Sequence, residues 1–228
     1  MKPKLPTPDL DHLPHEIFDK IYEPREDTFL LLDALEKDEE KIKSMDPKIC
    51  MEIGCASGCV ITFLAKMIDK NIQYLSTDIN PFALPSTRET FEKNKCKGYL
   101  DVVNCDLLNP FSIQMHKMID VIIFNAPYVP TTEEELNECK DKLEDKLIYH
   151  SWAGGKDGMQ VTNKLLPHIN TFLSPNGFFY LVAIEQNDPT EIIERMHKEY
   201  GFSCEIVLKR RARNESLSIL RFQKTNNK

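Results

Sequence analysis

Apolar residues in this chain gather in short runs, separated by stretches in which they recur at helical spacing. The runs at 48–53 (KICMEI), 72–77 (IQYLST), 99–104 (YLDVVN), 119–124 (IDVIIF) and 178–185 (FFYLVAIE) predict strands, as do 203–210 and 216–223. Helical spacing predicts a helix over 26–37, where Phe29, Leu30, Leu32 and Leu35 recur and Asp27 or Thr28 is placed to cap the start. Further helices are expected at about 59–69, 81–94, 157–173 and 189–199, with Ser174-Pro-Asn-Gly177 as a turn. Three stretches lack a pattern. Residues 1–15 carry Pro3, Pro6, Pro8 and Pro14 and read as a flexible or extended arm, placing a single domain at 20–228 behind an arm of residues 1–19. Residues 38–46 are charged and read as an exposed loop or a frayed helix end. Residues 131–147 are dense in Glu, Asp and Lys and read as a solvated insertion or a mobile lid.

Strands alternating with helices imply a mainly parallel sheet with helices on both faces. Only residues 211–215 join the last two predicted strands, so they must form an antiparallel hairpin. A Rossmann-like sheet of seven strands closed by such a hairpin is the α/β plan of a class I S-adenosylmethionine-dependent methyltransferase rather than of a dinucleotide dehydrogenase. Ligands of open sheets sit beyond the carboxyl ends of the strands. The turns after residues 53, 78, 105 and 124 therefore share one rim.

Composition narrows the partners. The 228 residues suit one domain, and a net charge of -7 disfavours capture of a nucleic-acid backbone and favours a basic protein partner. No apolar run approaches the roughly 20 residues of a membrane helix. None of the seven cysteines forms a CxxC pair, and Cys55 and Cys59, four apart, find no His/Cys set at zinc-finger spacing, so no metal site is expected. The odd number, without a signal peptide, implies reduced intracellular thiols.

The rim carries the candidate chemistry. Glu52-Ile-Gly54-Cys-Ala56-Ser-Gly58 forms the first strand-to-helix turn, where glycines let backbone approach a ligand and the helix start offers free N–H groups. Ala56 stands at the usual middle glycine. Asp78 ends the second strand, where an acid accepts two hydrogen bonds from a ribose diol. Asp106 and Leu107 follow the third strand, an acceptor for an adenine amino group and an apolar cover for its ring. Each residue also has a bland reading, as a tight turn, a helix cap or a surface turn acid. Three such positions after three consecutive strands describe a nucleoside pocket without a pyrophosphate clamp, which suits S-adenosylmethionine.

Asn125-Ala126-Pro127-Tyr128 follows the fourth strand. An Asn oxygen and the carbonyl of residue 126 together hold both N–H bonds of a planar NH2 group and draw its lone pair toward a methyl donor, while Tyr128 stacks on the plane. The expected form of this segment is Asn-Pro-Pro-Tyr. Alanine supplies the same carbonyl, and Pro127 still biases residue 126 toward extended backbone. Reduced rather than absent catalysis is expected. The alternative is an ordinary turn at a strand end.

Several segments together resemble a known family: Tyr22-Glu-Pro-x-Glu-Asp-Thr28 with the helix after it, Thr77-Asp-Ile-Asn-Pro81, Asn125-x-Pro-Tyr-Val129, Trp152-Ala-Gly-Gly155, Phe179-Tyr-Leu-Val182 and Glu215-x-Leu-Ser-Ile-Leu-Arg-Phe222. The chain over about residues 20–223 resembles the eukaryotic HemK-type protein glutamine methyltransferases. The resemblance implies transfer of a methyl group from S-adenosylmethionine to the glutamine side chain in the Gly-Gly-Gln loop of a class I translation release factor. It also implies a heterodimer with a small zinc-binding activator subunit, for which the third strand is the expected sheet edge, and a cytoplasmic location, with the nucleus in addition. Carried over by position, Thr28, Glu52, Gly54, Ala56, Gly58, Asp78, Asp106, Leu107 and Asn125 would bind the cofactor. Asn125, Pro127 and Tyr128 would be catalytic and, with Ala126, would bind the substrate. Competing readings are an adenine in DNA or a protein lysine as acceptor, and a cofactor-binding scaffold weakened by Ala126.

Overall fold

The computed structural model describes residues 4–111, 115–132, 134–135, 143–212 and 215–224, leaving out the side chains of 143–146. Helices α1 (Glu26–Lys37) and α2 (Glu39–Ser44) precede β1 (Ile49–Ile53). Then follow α3 (Cys59–Ile68), β2 (Gln73–Asp78), α4 (Ala83–Lys93), β3 (Tyr99–Asn104) and β4 (Ile119–Phe124). The chain continues through β5 (Val129–Pro130), α5 (Leu143–His150), β6 (Ala153–Gly155), α6 (Gln160–Phe172), β7 (Leu173–Ile184), α7 (Pro189–Tyr200), β8 (Phe202–Ala212) and β9 (Glu215–Lys224).

The expected seven-stranded sheet is present, in the order β3-β2-β1-β4-β7-β9-β8. Its first five strands run parallel, and β9 runs antiparallel to both β7 and β8. Alternation divides the core cleanly. Val121 and Ile123 of β4, with Phe178, Tyr180 and Val182 of β7, pack toward α1 and α3. Ile122 and Phe124, with Phe179, Leu181 and Ala183, pack toward α6 and α7. Side chains of a strand point alternately to opposite faces, and both faces are covered, which is why these strands read as unbroken apolar runs. β3 is the sheet edge, as expected, with Tyr99 72% exposed.

Four differences from the sequence reading have physical causes. The stretch at 38–46 is neither loop nor frayed end. It holds α2, because fully buried Ile42 anchors the turn to the core, and Asp38 is buried where it meets Arg221 of β9 and the Tyr180 hydroxyl of β7. β7 begins at Leu173, and the expected turn at 174–177 is an excursion within it. Ile119 pairs with Leu173 and Val121 with Phe178, so residues 174–177 lie opposite Asp120 alone, which accepts a bond from the Ser174 hydroxyl at 2.7 Å. A second, two-stranded sheet, β5–β6, was not foreseen. Within the acidic stretch, Leu143 onward is helical; the lid expected over the rest falls mostly on residues 133 and 136–142, outside those described.

Residues 4–14 run along α1 and α4, with a turn at 10–13 closed by Leu13 N–H on the Leu10 carbonyl at 2.9 Å. Lys4 pairs with Asp33 at 2.5 Å, Leu5 N–H donates to Glu36 at 2.6 Å, and Asp9 and Asn94 exchange two bonds at 2.8–2.9 Å. No helix among the described residues is long and apolar enough to cross a membrane.

Candidate active site

Beyond the carboxyl ends of β1, β2 and β4 lies a cleft of about 810 Å³. Of the residues singled out from sequence, Thr28, Glu52, Gly54, Ala56, Asp78, Asp106, Leu107, Asn125, Ala126, Pro127 and Tyr128 all line it. Gly58 does not. Its φ of +75° starts α3, and an added Cβ would stand 2.7 Å from the Thr87 Cα. Gly58 therefore lets α3 and α4 approach, a requirement imposed by a helix that sequence spacing does not reveal.

The first turn wraps around the end of β2. The N–H groups of Gly54 and Cys55 donate to the Thr77 carbonyl at 2.8 and 3.1 Å. Ala56 N–H donates to Asp78 Oδ2 at 2.9 Å, and Asn80 N–H to Asp78 Oδ1 at 2.8 Å. Each Asp78 oxygen thus has one fixed bond and a lone pair to spare. Burial pushes the Asp78 carboxyl above the usual carboxylate range, and the two N–H bonds oppose this. Burial raises the Glu52 carboxyl further; the Ile61 N–H at 2.9 Å opposes the rise, and the Asp78 charge adds to it. Ala56 holds φ +45°, a left-handed conformation that favours glycine. Asn104 Nδ2 ties the end of β3 to the carbonyls of Asp78 and Ile79 at 2.9 and 3.0 Å, which brings Asp106 and Leu107 beside them. Ile79, missed from sequence, is 54% exposed into the same cleft and adds a second apolar surface next to Asp78.

The opposite wall turns on Asp27, also missed. It was read as a candidate helix cap, yet α1 starts one residue earlier and Asp27 is buried. Its Oδ2 accepts from the Tyr22 hydroxyl at 2.9 Å, Asn125 Nδ2 at 3.1 Å and the Tyr128 hydroxyl at 3.2 Å; its Oδ1 accepts from Thr28 N–H at 2.7 Å. Burial and the Asp27 charge push both tyrosine hydroxyls well up, so they stay protonated donors. The charge also decides which way the Asn125 amide faces. With Nδ2 held by a carboxylate, Oδ1 is left as a buried acceptor without a partner among the described residues. A buried acceptor without a partner is costly and marks a place for a donor from a ligand. Ala126 is buried and packs in the apolar cluster below β4.

The Trp-Ala-Gly-Gly segment backs this wall. Val129 pairs with Ala153, Val129 N–H donates to the Trp152 carbonyl at 3.1 Å, and Thr131 and Gly155 exchange two bonds at 3.0 Å. Trp152 lines the cleft edge-on to Tyr149, with ring centroids 4.7 Å apart.

Three comparisons bear on these features. Residues 26–145 match the model of the methyltransferase small domain. The chain is 40% identical over 223 residues to methyltransferase HEMK2 of Mus musculus, covering 98% of this chain and 99% of that protein. It is 40% identical over 233 residues to the eRF1 methyltransferase catalytic subunit mtq2 of Schizosaccharomyces pombe, covering 98% and 97%. Among solved structures, a chain of the E. cuniculi Mtq2–Trm112 complex, responsible for methylation of the eRF1 translation termination factor, superimposes with a TM-score of 0.64 at 28% identity, over 90% of this chain and 99% of that one. The T. thermophilus 16S rRNA N2 G1207 methyltransferase, bound to AdoMet and guanosine, shares the fold at TM-score 0.60 and 15% identity, over 90% and 44%.

Proposed function

The chain belongs to the methyltransferase small-domain family and, within it, to the group of HEMK2 and Mtq2, and from this we propose that it methylates the side-chain nitrogen of the glutamine in the Gly-Gly-Gln loop of a class I translation release factor. The observation that carries the acceptor assignment is the orphaned Asn125 Oδ1, aligned by Asp27 at the cleft.

S-adenosylmethionine fits the donor set of the other wall, and when bound it supplies a methyl group on a sulfonium. Asp78 would take its ribose hydroxyls, Asp106 its adenine amino group, and Ile79 and Leu107 the faces of the ring. Thr28, Glu52, Gly54 and Ala56 would complete the seat. On the acceptor side, Asn125 Oδ1 accepts one N–H of the glutamine amide and the Ala126 carbonyl accepts the other. Holding both hydrogens points the nitrogen lone pair at the methyl donor and weakens its conjugation. Transfer would form the N–C bond as the methyl–sulfur bond breaks, leaving a neutral thioether and a positively charged nitrogen, one of whose protons would then be acidic and would pass to water. The Tyr128 ring supports the amide plane while its hydroxyl stays bound to Asp27.

A Trm112-like subunit belongs on β3. The two sheet edges differ in balance: β8 exposes Glu205, Lys209, Arg210 and Arg211, charges that resist pairing, beside one exposed apolar residue, Ile206, whereas β3 exposes Tyr99 and half-exposes Leu100, Val102 and Val103 beside one exposed charge, Asp101. A release-factor substrate places the protein's work in the cytoplasm.

The test is methyl transfer to a Gly-Gly-Gln-containing release factor, with and without the Trm112-like subunit, followed by mass-spectrometric site mapping. The expected result is one methyl group on the glutamine, dependent on the subunit. Label entering only an oligonucleotide or a lysine would overturn the acceptor assignment. An inert natural chain that becomes active as Ala126→Pro would favour the scaffold reading.

A further inference from the structure

We infer that Asn187, on the turn after β7, is a positioning residue that clasps the acceptor segment from behind. For its effect on turnover the inference rests on the function proposed above. Asn187 is buried, and the oxygen and nitrogen of its amide serve different ends. Oδ1 accepts from Ile184 N–H at 2.9 Å, a local bond that caps the short helix Glu185–Asn187. An ordinary cap needs nothing more. Nδ2 instead reaches out of its own turn and donates to the Tyr128 carbonyl at 2.9 Å and to the Asp157 carbonyl at 3.0 Å. One amide therefore ties the end of β7 to the Asn-Ala-Pro-Tyr segment and to the glycine-rich loop.

The glycines show how close this junction is. An added Cβ on Gly158 would lie 2.0 Å from the Tyr128 carbonyl oxygen and 2.5 Å from Asn187 Nδ2, at a φ of +69°. One on Gly154 would lie 2.5 Å from the Pro127 carbonyl oxygen. The loop is thus pressed against the backbone of Pro127 and Tyr128. Tyr128 is fixed at both ends, its hydroxyl by Asp27 and its carbonyl by Asn187. Asn187 itself does not line the cleft, so its action on the reaction passes through Tyr128 and the carbonyl of residue 126 two positions before it.

Two variants separate the clasp from the cap. Asn187→Asp keeps the acceptor for Ile184 and loses the donors; Asn187→Ser keeps a short local cap that cannot reach Tyr128. Each is made in the full chain with its Trm112-like subunit. Hydrogen exchange is followed at the amides of Tyr128, Val129 and Gly158, beside kcat, KM and the cofactor Kd. Expected are faster exchange confined to those amides, a kcat lower by about 10–100-fold, as a misplacement near 1 Å produces, and a cofactor Kd within about 2-fold, since the first turn is untouched. Unchanged exchange in a folded variant overturns the clasp, whatever the substrate proves to be. Exchange that rises equally through β1 and β2, with Kd weakening in step, also overturns it, because Asn187 then serves only general stability. Local exchange that rises in a chain inert toward glutamine upholds the clasp and removes the proposed function instead.

Discussion

On one wall of the cleft, Asp78 is held by Asn80, two residues on, and by Ala56, 22 residues back across a single strand–helix–strand unit. On the other, Asn125 is oriented by Asp27 at a separation of 98 residues, the Tyr128 hydroxyl by the same carboxylate at 101, and the Tyr128 carbonyl by Asn187 at 59. The wall proposed for the cofactor is a local product of the first turns of a parallel sheet. The wall proposed for the acceptor is assembled from the start of α1 and the segment before it, the end of β4, the glycine loop and the end of β7. Separate means of support predict separable functions: damage to one wall is expected to lower cofactor affinity, and damage to the other to lower turnover.

The largest break in that comparison comes from Asn125→Ala, which removes the acceptor and leaves the first turn alone. Loss of one preorganised hydrogen-bonding group costs about 10²–10³ in kcat, and the cofactor Kd, read by calorimetry, should stay within about 3-fold. An equal loss in both would merge the two walls into one unit. Asp27→Asn comes next. The amide remains near in size but lacks the charge that fixes three donors, so Asn125 loses its enforced orientation. With charge-assisted bonds worth about 1.5–3 kcal/mol, kcat is expected to fall about 10–100-fold at unchanged cofactor affinity. A melting curve is the control, because the same bonds hold the segment before α1.

Asp78→Asn tests the other wall and should give the mirror image: a cofactor Kd weaker by about 10–100-fold, from charged hydrogen bonds of the same 1.5–3 kcal/mol, with kcat at saturation retained. The pH dependence has a definite sign. Burial raises the Asp78 carboxyl, and its charged form is the better acceptor for a ribose diol. As pH falls, protonation therefore weakens cofactor binding earlier than an ordinary aspartate would, and the loss is complete below the raised pKa. Asp78→Asn should flatten that part of the profile. A natural chain whose Kd is constant down to the usual carboxylate range would remove Asp78 from the seat.

The same contrast explains what was legible in the sequence. The seven strands, the mainly parallel sheet and its closing hairpin followed from short apolar runs and short connections, and the placing of Glu52, Gly54, Asp78, Asp106 and Leu107 on the cleft followed from their positions at strand ends. Asp27, Ile79 and Asn187 were not legible. Asp27 looks like a helix cap, Ile79 like one more apolar residue of β2, and Asn187 like a turn residue; only their distant partners give them another role. The packing role of Gly58 is not legible because its neighbour, Thr87, sits on another helix. β5 and β6, at two and three residues, are too short to carry a period. α2 was missed because its six residues contain one apolar anchor, Ile42, and tertiary packing rather than propensity makes the helix.

The smallest expected effect is the sharpest test of how the acceptor wall works. Ala126 is buried, its φ is not among the left-handed residues, and the Pro127 after it already favours extended backbone. A proline at 126 that fits the backbone would act mainly by removing alternatives, worth about 0.4–1 kcal/mol. If that order is expressed in the transition state, kcat rises by about 2–5-fold, since 1.4 kcal/mol is tenfold. But the carbonyl of residue 126 lies between two external supports, Asp27 on Asn125 and Asn187 on Tyr128. Where those already hold it, proline adds little; where they are cut, it should matter more. The gain from Ala126→Pro is thus expected to be larger in the Asn187→Ser background than in the natural chain, a coupling read from a double-mutant cycle on kcat. Additive effects would mean that residue 126 and the clasp act on different features, and that the long-range bonds to Tyr128 do not govern the carbonyl that receives the amide.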